Sequence, residues 1–175
     1  MKKKIWLSGI LLVLYSCNPA AKNQRNTLKY FDLKGYFEKE AARLTKNDPV
    51  FTKTVTVNGA AESKNTRIAD WTKELSIFSD ADINRNAWKG LFKITNTGDQ
   101  EIYTSDQEKV PVKELRITKR KGVVYHINIL VKNTNMLYSS TDTLSYYPDS
   151  LYQVKKKQQI KLLAEKKYTI TGKFK

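Results

Sequence analysis

Residues 110–132 read VPVKELRITKRKGVVYHINILVK and carry the clearest structural pattern in the chain. Two segments, 110–119 and 123–132, flank the short sequence Arg120-Lys121-Gly122, which is typical of a tight turn. In the second segment, apolar residues occur in both sets of alternating side chains, so both faces of that strand are expected to be partly covered. The stretch therefore predicts a β-hairpin and places a sheet at the centre of the fold.

Further segments on either side of this hairpin have the length and composition of strands. Turn sequences such as Asn96-Thr97-Gly98-Asp99 and Pro148-Asp149-Ser150 separate them. Residues 155–164 also contain good helix formers, so a helix is the alternative for that segment. Together the segments predict an antiparallel meander from residue 89 onward. The predicted strands are residues 91–95, 101–104, 136–146, 152–162 and 168–174.

An N-terminal helix is predicted over residues 27–44, where apolar side chains recur at steps of three and four residues and form one stripe. Thr27 is the candidate N-cap of this helix. Gly35 weakens its interior by about 1 kcal/mol relative to alanine. The sequence Asn47-Asp48-Pro49 is expected to end it, because the residue before a proline avoids the helical region.

Two further elements are predicted before residue 89. Residues 51–57 alternate as a strand and run into Asn58-Gly59, a strong hairpin signal. Asp70 is a candidate N-cap for a short helix over residues 71–78. Helices that precede a run of strands indicate an α+β domain. We therefore predict an N-terminal helix and one short helix packed on a curled antiparallel meander of about six to eight strands, shaped as a half-barrel or barrel.

The N-terminal segment differs from the rest of the chain. Three lysines at 2–4 precede an apolar run at 5–15, which is too short to span a hydrocarbon core of about 30 Å but fits a secretory signal. Leu14-Tyr15-Ser16-Cys17 follows and contains the only cysteine. This segment resembles the signal peptide of a bacterial lipoprotein, with Tyr15 where the usual pattern has a small or β-branched residue. An ordinary signal peptide or a short buried helix is the alternative.

The resemblance implies that residues 1–16 are removed and that Cys17 carries acyl chains, since several such chains give stable membrane anchoring. Residues 17–27 would then be a polar tether, and residues 28–175 one α+β domain. Asn18 follows the cysteine where inner-membrane lipoproteins often carry aspartate. The resemblance therefore implies the outer membrane, on its periplasmic face or at the cell surface. The Lys-, Asn- and Tyr-rich composition is similar to that of Bacteroidota lipoproteins.

Positive charge is concentrated in the C-terminal third of the chain. The formal net charge is +15, and residues 110–175 hold 14 basic and 4 acidic side chains. Such a field attracts polyanions, which in a cell envelope are phospholipid headgroups, lipopolysaccharide and acidic glycans. A solvated lysine-rich surface that serves only solubility is the alternative. The candidate residues for binding an anionic ligand are Lys113, Arg116, Lys119, Arg120, Lys121, Lys155, Lys156 and Lys157.

Enzymatic chemistry has little support in the sequence. Lipidation would use the only cysteine, the single histidine, His126, lies within a predicted strand, and no G-x-S-x-G, P-loop, G-x-G-x-x-G or H-E-x-x-H motif occurs. We therefore predict no catalytic residue, no cofactor and no metal site. A carboxylate-dependent hydrolase would need only two acids, for which Asp80 with Asp82 and Asp106 with Glu108 are the candidate pairs.

Two three-residue motifs suggest glycosylation. Asp142-Thr143-Leu144 and Asp149-Ser150-Leu151 resemble the Asp-Ser/Thr-apolar acceptor of Bacteroidota envelope proteins, which makes Thr143 and Ser150 candidate sites near predicted turns. The ten tyrosines of the chain suit either a binding surface or a half-buried sheet.

The sequence thus predicts a lipid-anchored envelope protein with a non-catalytic binding role. Its partner would be an anionic lipid, a glycan or another envelope protein, and no nucleic acid is expected. One alternative is a periplasmic carrier whose curled sheet encloses lipid or another hydrophobic ligand. The carboxylate-dependent hydrolase is the third hypothesis.

Overall fold

The structure is a computed structural model that describes residues 28–175. The predicted signal peptide, the lipidation site Cys17, the tether 17–27 and the candidate cap Thr27 lie outside the described residues. Residues 28–175 form three α-helices, one short 3-10 helix and nine strands. The helices are α1 (Leu33–Asn47), α2 (Trp71–Glu74), α3 (Ser76–Ser79) and the 3-10 helix (Asn86–Trp88).

All the strands of this region belong to one antiparallel sheet with the order β2-β1-β9-β8-β7-β6-β5-β4-β3. The meander predicted from residue 89 onward is present as β3 to β9. The N-terminal hairpin joins it through the pairing of β1 with β9, in which Phe51 lies opposite Phe174. The strands are β1 (Phe51–Val57), β2 (Ala60–Thr66), β3 (Lys93–Thr97), β4 (Gln100–Thr104), β5 (Val112–Arg120), β6 (Val123–Thr134), β7 (Tyr138–Tyr147), β8 (Leu151–Ile160) and β9 (Lys166–Phe174).

The predicted fold class is confirmed at the level of helices on an antiparallel sheet, but the strand number and the barrel-like shape were wrong. Residues 28–175 contain nine strands rather than six to eight, and the sheet is open. Its edge strands β2 and β3 are almost fully exposed and consist mainly of polar residues. Closure would need these two short edges to pair with each other, and instead each has one partner strand.

The helix α1 begins six residues later than predicted, at Leu33. Asp32 is its N-cap, since the Asp32 carboxylate accepts a hydrogen bond from the Gly35 backbone N–H at 2.9 Å. Gly35 therefore lies in the first turn, where a Cβ would come within 2.2 Å of the Asp32 carboxylate oxygen. The absence of a side chain at Gly35 leaves room for the cap. The predicted end is confirmed, because α1 stops at Asn47 and Asp48 takes a left-handed conformation.

Replacing Asp32 by alanine is expected to lower the free energy of unfolding by about 1 kcal/mol, because the Gly35 N–H loses its acceptor. Urea titration followed by circular dichroism measures this loss. Asp32→Asn is the matched control and should retain most of the stability, since asparagine caps helices about as well as aspartate. Equal stability of the alanine variant and the wild type would contradict the assignment of the cap.

The short helix predicted over residues 71–78 is present in two pieces. The Asp70 carboxylate accepts from the Lys73 backbone N–H at 2.9 Å, as the sequence predicted for a cap. Leu75 then leaves the helical geometry and separates α2 from α3. The break lets Trp71 and Phe78, both fully buried, meet different strands of the sheet.

The helices cover one face of the sheet, which we call the inner face. Phe37 of α1 and Phe78 of α3 pack on Tyr146 with ring centroids 5.1 Å and 5.8 Å apart, and Trp71 packs on Phe51 at 5.4 Å. The other face, which we call the outer face, is not covered by helices and carries mainly threonine, serine, glutamine and lysine. The centre of the inner face is therefore filled by aromatic side chains.

Candidate functional site

The eight basic residues predicted to bind an anionic ligand are divided between two faces and both ends of the sheet. Lys119 and Lys156 lie on the inner face, where they pair with Glu101 at 2.8 Å and Asp142 at 3.2 Å. Arg120 and Lys121 lie at the turn between β5 and β6. The remaining four lie on the outer face of the sheet or at the end of the sheet away from the β5–β6 turn. They are Lys113, Arg116, Lys155 and Lys157.

Most of these eight side chains already have a partner within the protein. Arg116 pairs with Glu114 at 2.9 Å, and Lys157 pairs with Glu165 at 2.9 Å. The Lys113 ammonium donates to the Gln107 backbone carbonyl. The Arg120 guanidinium stacks 3.4 Å from the Tyr125 ring centroid. The structure therefore does not gather the eight residues into one patch, and of the eight only Lys157 contributes to the cluster described next.

Two turns at one end of the sheet lie side by side and form a surface that we call the hairpin tip, defined as residues 135–137 and 161–165. The strands leading to them are paired up to Tyr138 opposite Ile160. Beyond that pair, the Lys161 backbone N–H donates to the Leu137 carbonyl at 2.9 Å. The two turns are thus held together by their backbones.

The hairpin tip exposes four large apolar side chains. Met136 is 91 % exposed, Leu137 66 %, Leu162 96 % and Leu163 55 %. Leu162 has a φ of 68°, in the left-handed region, which costs a residue with a Cβ about 1 kcal/mol. A strained backbone that presents a leucine to solvent is unfavourable for folding alone and points to a contact outside the domain.

Hydrogen bonds fix the shape of both turns. The Asn135 side-chain carbonyl accepts from the backbone N–H groups of Leu137 and Tyr138, each at 2.9 Å. The Gln159 amide donates to the Leu163 carbonyl at 2.6 Å. The apolar side chains therefore project from a turn structure that is already formed.

Lysines lie on the β8–β9 side of the hairpin tip. Residues 155–167 contain six lysines and one acidic residue, and Lys157 lies directly opposite Lys167 across the β8–β9 pair. Glu165 bridges these two lysines, at 2.9 Å from Lys157 and 3.5 Å from Lys167. Its hydrogen bond to Lys157 and the nearby Lys167 hold the pKa of Glu165 below its usual value. Lys161 and Lys166 are exposed beside the apolar side chains.

The predicted carboxylate pairs do not form an acidic cleft. The Asp82 carboxylate accepts from the Asn84 backbone N–H at 3.2 Å, and the Asp106 carboxylate accepts from the Gln107 side chain at 3.2 Å. His126 stacks on Tyr147 with ring centroids 4.0 Å apart, and burial together with nearby Arg116 lowers its pKa. Within residues 28–175, no group of three or more His, Cys, Asp or Glu side chains is arranged to hold a metal ion.

The two candidate glycosylation sites lie in different settings. Ser150 is exposed in the turn between β7 and β8, as predicted. Thr143 was expected near a turn, and this placement was wrong, because it lies in the middle of β7 between Leu130 and Lys155 on the neighbouring strands. The alternation that includes Asp142 and Leu144 continues the strand through this position. As glycosylation acceptors, both residues stay predictions.

Comparisons with known proteins give no family for this chain. No protein-family model matches it, and searches of curated proteins and of solved structures give no significant match. In the part of the chain from residue 28 onward, no helix combines the length and the hydropathy that crossing a bilayer requires. The functional argument therefore depends on the geometry of the hairpin tip.

Proposed function

We propose that this protein is a lipid-anchored envelope protein with a non-catalytic role, and that its domain docks on an anionic phospholipid bilayer through the hairpin tip. One observation carries the proposal: two hydrogen-bonded turns present four exposed apolar side chains, with lysines of β8, β9 and the turn between them beside these side chains. Binding to a glycan or to a partner protein stays a prediction, as does the carrier hypothesis.

Insertion of the apolar side chains of the tip into the membrane contributes to the free energy of binding. Burying a leucine or methionine side chain fully is worth about 1.5–3 kcal/mol, and shallow insertion into the headgroup region recovers part of this. The four side chains lie on adjacent turns, so they can enter one surface together. Tyr138 and Tyr168 lie half-buried just behind the turns, where an aromatic ring with a polar hydroxyl suits the interface between lipid and water.

The positive charges of the lysines attract the domain to an anionic membrane surface. Each basic side chain near an anionic surface contributes about 1 kcal/mol, and this contribution falls within a Debye length of about 8 Å at physiological salt. Lys157, Lys161, Lys166 and Lys167 lie on the β8–β9 side of the tip, and Glu165 offsets one of these charges. Binding is therefore expected to need both anionic lipid and the apolar side chains.

The tip and the acyl anchor would act together. A single weak membrane contact is reversible, whereas two signals on one chain give stable attachment. Ten residues, 18–27, separate the lipidated position from the domain, and the eleven steps from residue 17 to residue 28 correspond to a contour of at most about 40 Å. That reach allows the domain to dock on the membrane that holds Cys17, with the orientation of the sheet set by the tip.

Replacing Met136 and Leu162 by glutamine is expected to weaken vesicle binding at least tenfold, a loss of about 1.4 kcal/mol or more. Flotation of residues 18–175 with vesicles of phosphatidylglycerol and phosphatidylethanolamine measures the effect without the acyl anchor. Val123→Gln is the matched control, since Val123 is 69 % exposed at the opposite end of β6. The proposal fails if the tip variant and the control bind alike.

A second arm of the same experiment tests the charge. Reversing Lys161 and Lys166 to glutamate should reduce binding and its salt dependence, whereas reversing Lys121, at the other end of the sheet, should not. Vesicles of phosphatidylcholine alone should bind weakly. Equal binding to neutral and anionic vesicles would argue against a role for the lysines.

A further inference from the structure

The edge strand β2 (Ala60–Thr66) has the backbone of a strand that can accept a second partner. It pairs with β1 along its whole length without a bulge, and it contains no proline, so two of the features that commonly protect an edge are missing. All of its residues except Thr66 are exposed. The side of β2 that faces away from β1 is therefore an unpaired edge of the sheet.

The turn that precedes β2 determines which of its backbone groups are open. Asn58-Gly59 is a two-residue loop, so Val57 and Ala60, which flank it, form a hydrogen-bonded pair. Along an antiparallel ladder, hydrogen-bonded pairs alternate with non-hydrogen-bonded pairs. Every second residue of β2 therefore points its N–H and C=O groups to the open edge. These residues are Ala61, Ser63 and Asn65.

The charges of β2 select one register for pairing with a second copy of the strand. Glu62 and Lys64 lie on the inner face, where both line an open cleft. Neither has an ion-pair partner among the described residues. In an antiparallel pair centred on Ser63, Glu62 of each copy lies opposite Lys64 of the other. A shift of two residues in either direction would instead place Glu62 opposite Glu62, or Lys64 opposite Lys64.

The outer-face side chains of β2 leave the edge accessible. The Ser63 and Thr54 hydroxyls lie 2.7 Å apart, and the Thr52 hydroxyl donates to the Asn65 side chain at 2.9 Å, so these side chains turn toward β1. The other edge strand, β3, is shorter, and Lys93 is its only charged residue. Pairing of β3 with itself would therefore gain no contact between opposite charges.

We propose that this protein forms a two-fold symmetric dimer, in which β2 pairs antiparallel with β2 of a second copy about Ser63 and joins the two sheets. About six backbone hydrogen bonds and a Glu62–Lys64 contact on each side of the axis would form. The axis is perpendicular to the sheet, so the two hairpin tips lie at opposite ends and only one can dock on a given flat bilayer. The dimer does not rest on that docking, and every test below is made without lipid.

Disulfide trapping tests the centre of the dimer. Residues 18–175 contain no cysteine, and Ser63→Cys places two thiols at a hydrogen-bonded pair, where Cα atoms about 5.5 Å apart suit a disulfide. Oxidised glutathione is expected to convert most of this variant to a covalent dimer. Asn65→Cys is the matched control and should stay monomeric, because its two copies would lie about 13 Å apart along the strands. No covalent dimer in Ser63→Cys, or equal amounts in both variants, would overturn the proposal.

Charge exchange tests the register. Glu62→Lys or Lys64→Glu alone places like charges opposite each other and should weaken dimerisation at least about tenfold. The double variant Glu62→Lys/Lys64→Glu restores opposite charges and should recover most of the wild-type affinity. Sedimentation equilibrium at protein concentrations up to about 1 mM measures this, because a single strand pair buries little area and binds weakly. A double variant as weak as the single variants, or a wild type that stays monomeric throughout, would count against the dimer.

A proline variant separates the open edge from the β1–β2 hairpin. Ser63→Pro removes an N–H group that faces the open edge, so pairing with β1 should persist while self-association is lost. Asn96→Pro is the matched control on β3, since Asn96 precedes Thr97, which flanks the loop Gly98-Asp99, and also faces an open edge. Circular dichroism checks that both variants fold. Equal self-association of Ser63→Pro and Asn96→Pro would exclude β2 as the interface.

Discussion

Replacing Arg43 by methionine is expected to lower the free energy of unfolding at pH 7 by about 2–3 kcal/mol. Arg43 donates to the buried Glu40 carboxylate from Nε at 3.0 Å and from Nη2 at 2.6 Å. Removing one partner of a buried pair costs about 3–5 kcal/mol. The expected loss is smaller here because about a third of the arginine side chain is exposed and is partly screened by solvent.

The loss should depend on pH, because Glu40 titrates differently with and without Arg43. Burial alone would raise the pKa of Glu40, but hydrogen bonds from Arg43 and Tyr146 outweigh burial and hold that pKa below its ordinary value of 4.5. A lowered pKa in the folded state stabilises the protein above pH 4.5 and stops doing so as the pH falls through the folded value. In Arg43→Met, burial dominates and the pKa of Glu40 rises. The difference between variant and wild type should therefore begin to shrink above pH 4.5, as the pH falls through the raised pKa of the variant, and should be lost below the lowered pKa of the wild type.

Urea unfolding followed by tryptophan fluorescence at pH 7 and pH 4 measures this difference. Lys34→Met is the matched control on the same helix, because the Lys34–Glu38 pair is exposed and its atoms are 3.9 Å apart. Such a pair is worth about 0.5 kcal/mol or less. A loss in Arg43→Met that is as small as in the control, or that is the same at both pH values, would contradict the role assigned to Glu40.

The contact between Glu40 and Tyr146 belongs to a repeated arrangement that joins the helices to the sheet. Tyr146 donates to Glu40 of α1 at 2.5 Å, and Tyr152 donates to Glu74 of α2, which also pairs with Lys53 at 2.6 Å. Tyr146 and Tyr152 lie opposite each other on β7 and β8. Burial, followed by the adjacent carboxylate, raises the pKa of both tyrosines, so both stay protonated donors.

Local patterns in the sequence were sufficient to predict most strands of the sheet and the turns that join them. The turn at Lys121-Gly122 takes positive φ at both residues, and Asn58-Gly59 does the same, as hairpin chemistry requires. The pairing of β1 with β9 could not be predicted in this way. Periodicity reports which residues share a face, but it does not report which of two strands separated by more than a hundred residues will be neighbours.

The hairpin tip was missed for a specific reason. The predictions placed Met136 at the start of strand 136–146 and Leu162 at the end of strand 152–162, where Leu162 continues the alternation that includes Ile160. Both residues lie in turns, where alternation along the chain does not determine which face a side chain is on. Because alternation in a strand predicts burial of one set of side chains, the exposure of the apolar residues at the tip was not predicted. The charge excess was recognised, but the sequence could not show that Lys157 would lie opposite Lys167 rather than beside Lys113.

Replacing Gly172 by alanine is expected to lower the free energy of unfolding by about 2–3 kcal/mol, the upper part of the range for overpacking a core. Gly172 lies opposite Tyr152 on the inner face, and a Cβ at this position would come within 2.3 Å of the Tyr152 ring. The ring cannot move away easily, because its hydroxyl donates to Glu74 and its body packs against Phe51 and Phe78. A glycine opposite an aromatic ring is a recognised device for packing one strand closely on its neighbour.

A double-mutant cycle distinguishes the clash with Tyr152 from any other destabilising effect of alanine at residue 172. If the contact with the ring is the cause, Gly172→Ala combined with Tyr152→Val should lose at least about 1 kcal/mol less than the sum of the single variants. Lys173→Ala, the exposed neighbour on β9, is the control and should change stability by no more than about 0.5 kcal/mol. Strict additivity would show that Gly172 and Tyr152 act independently, and the close approach of β8 and β9 would then need another cause.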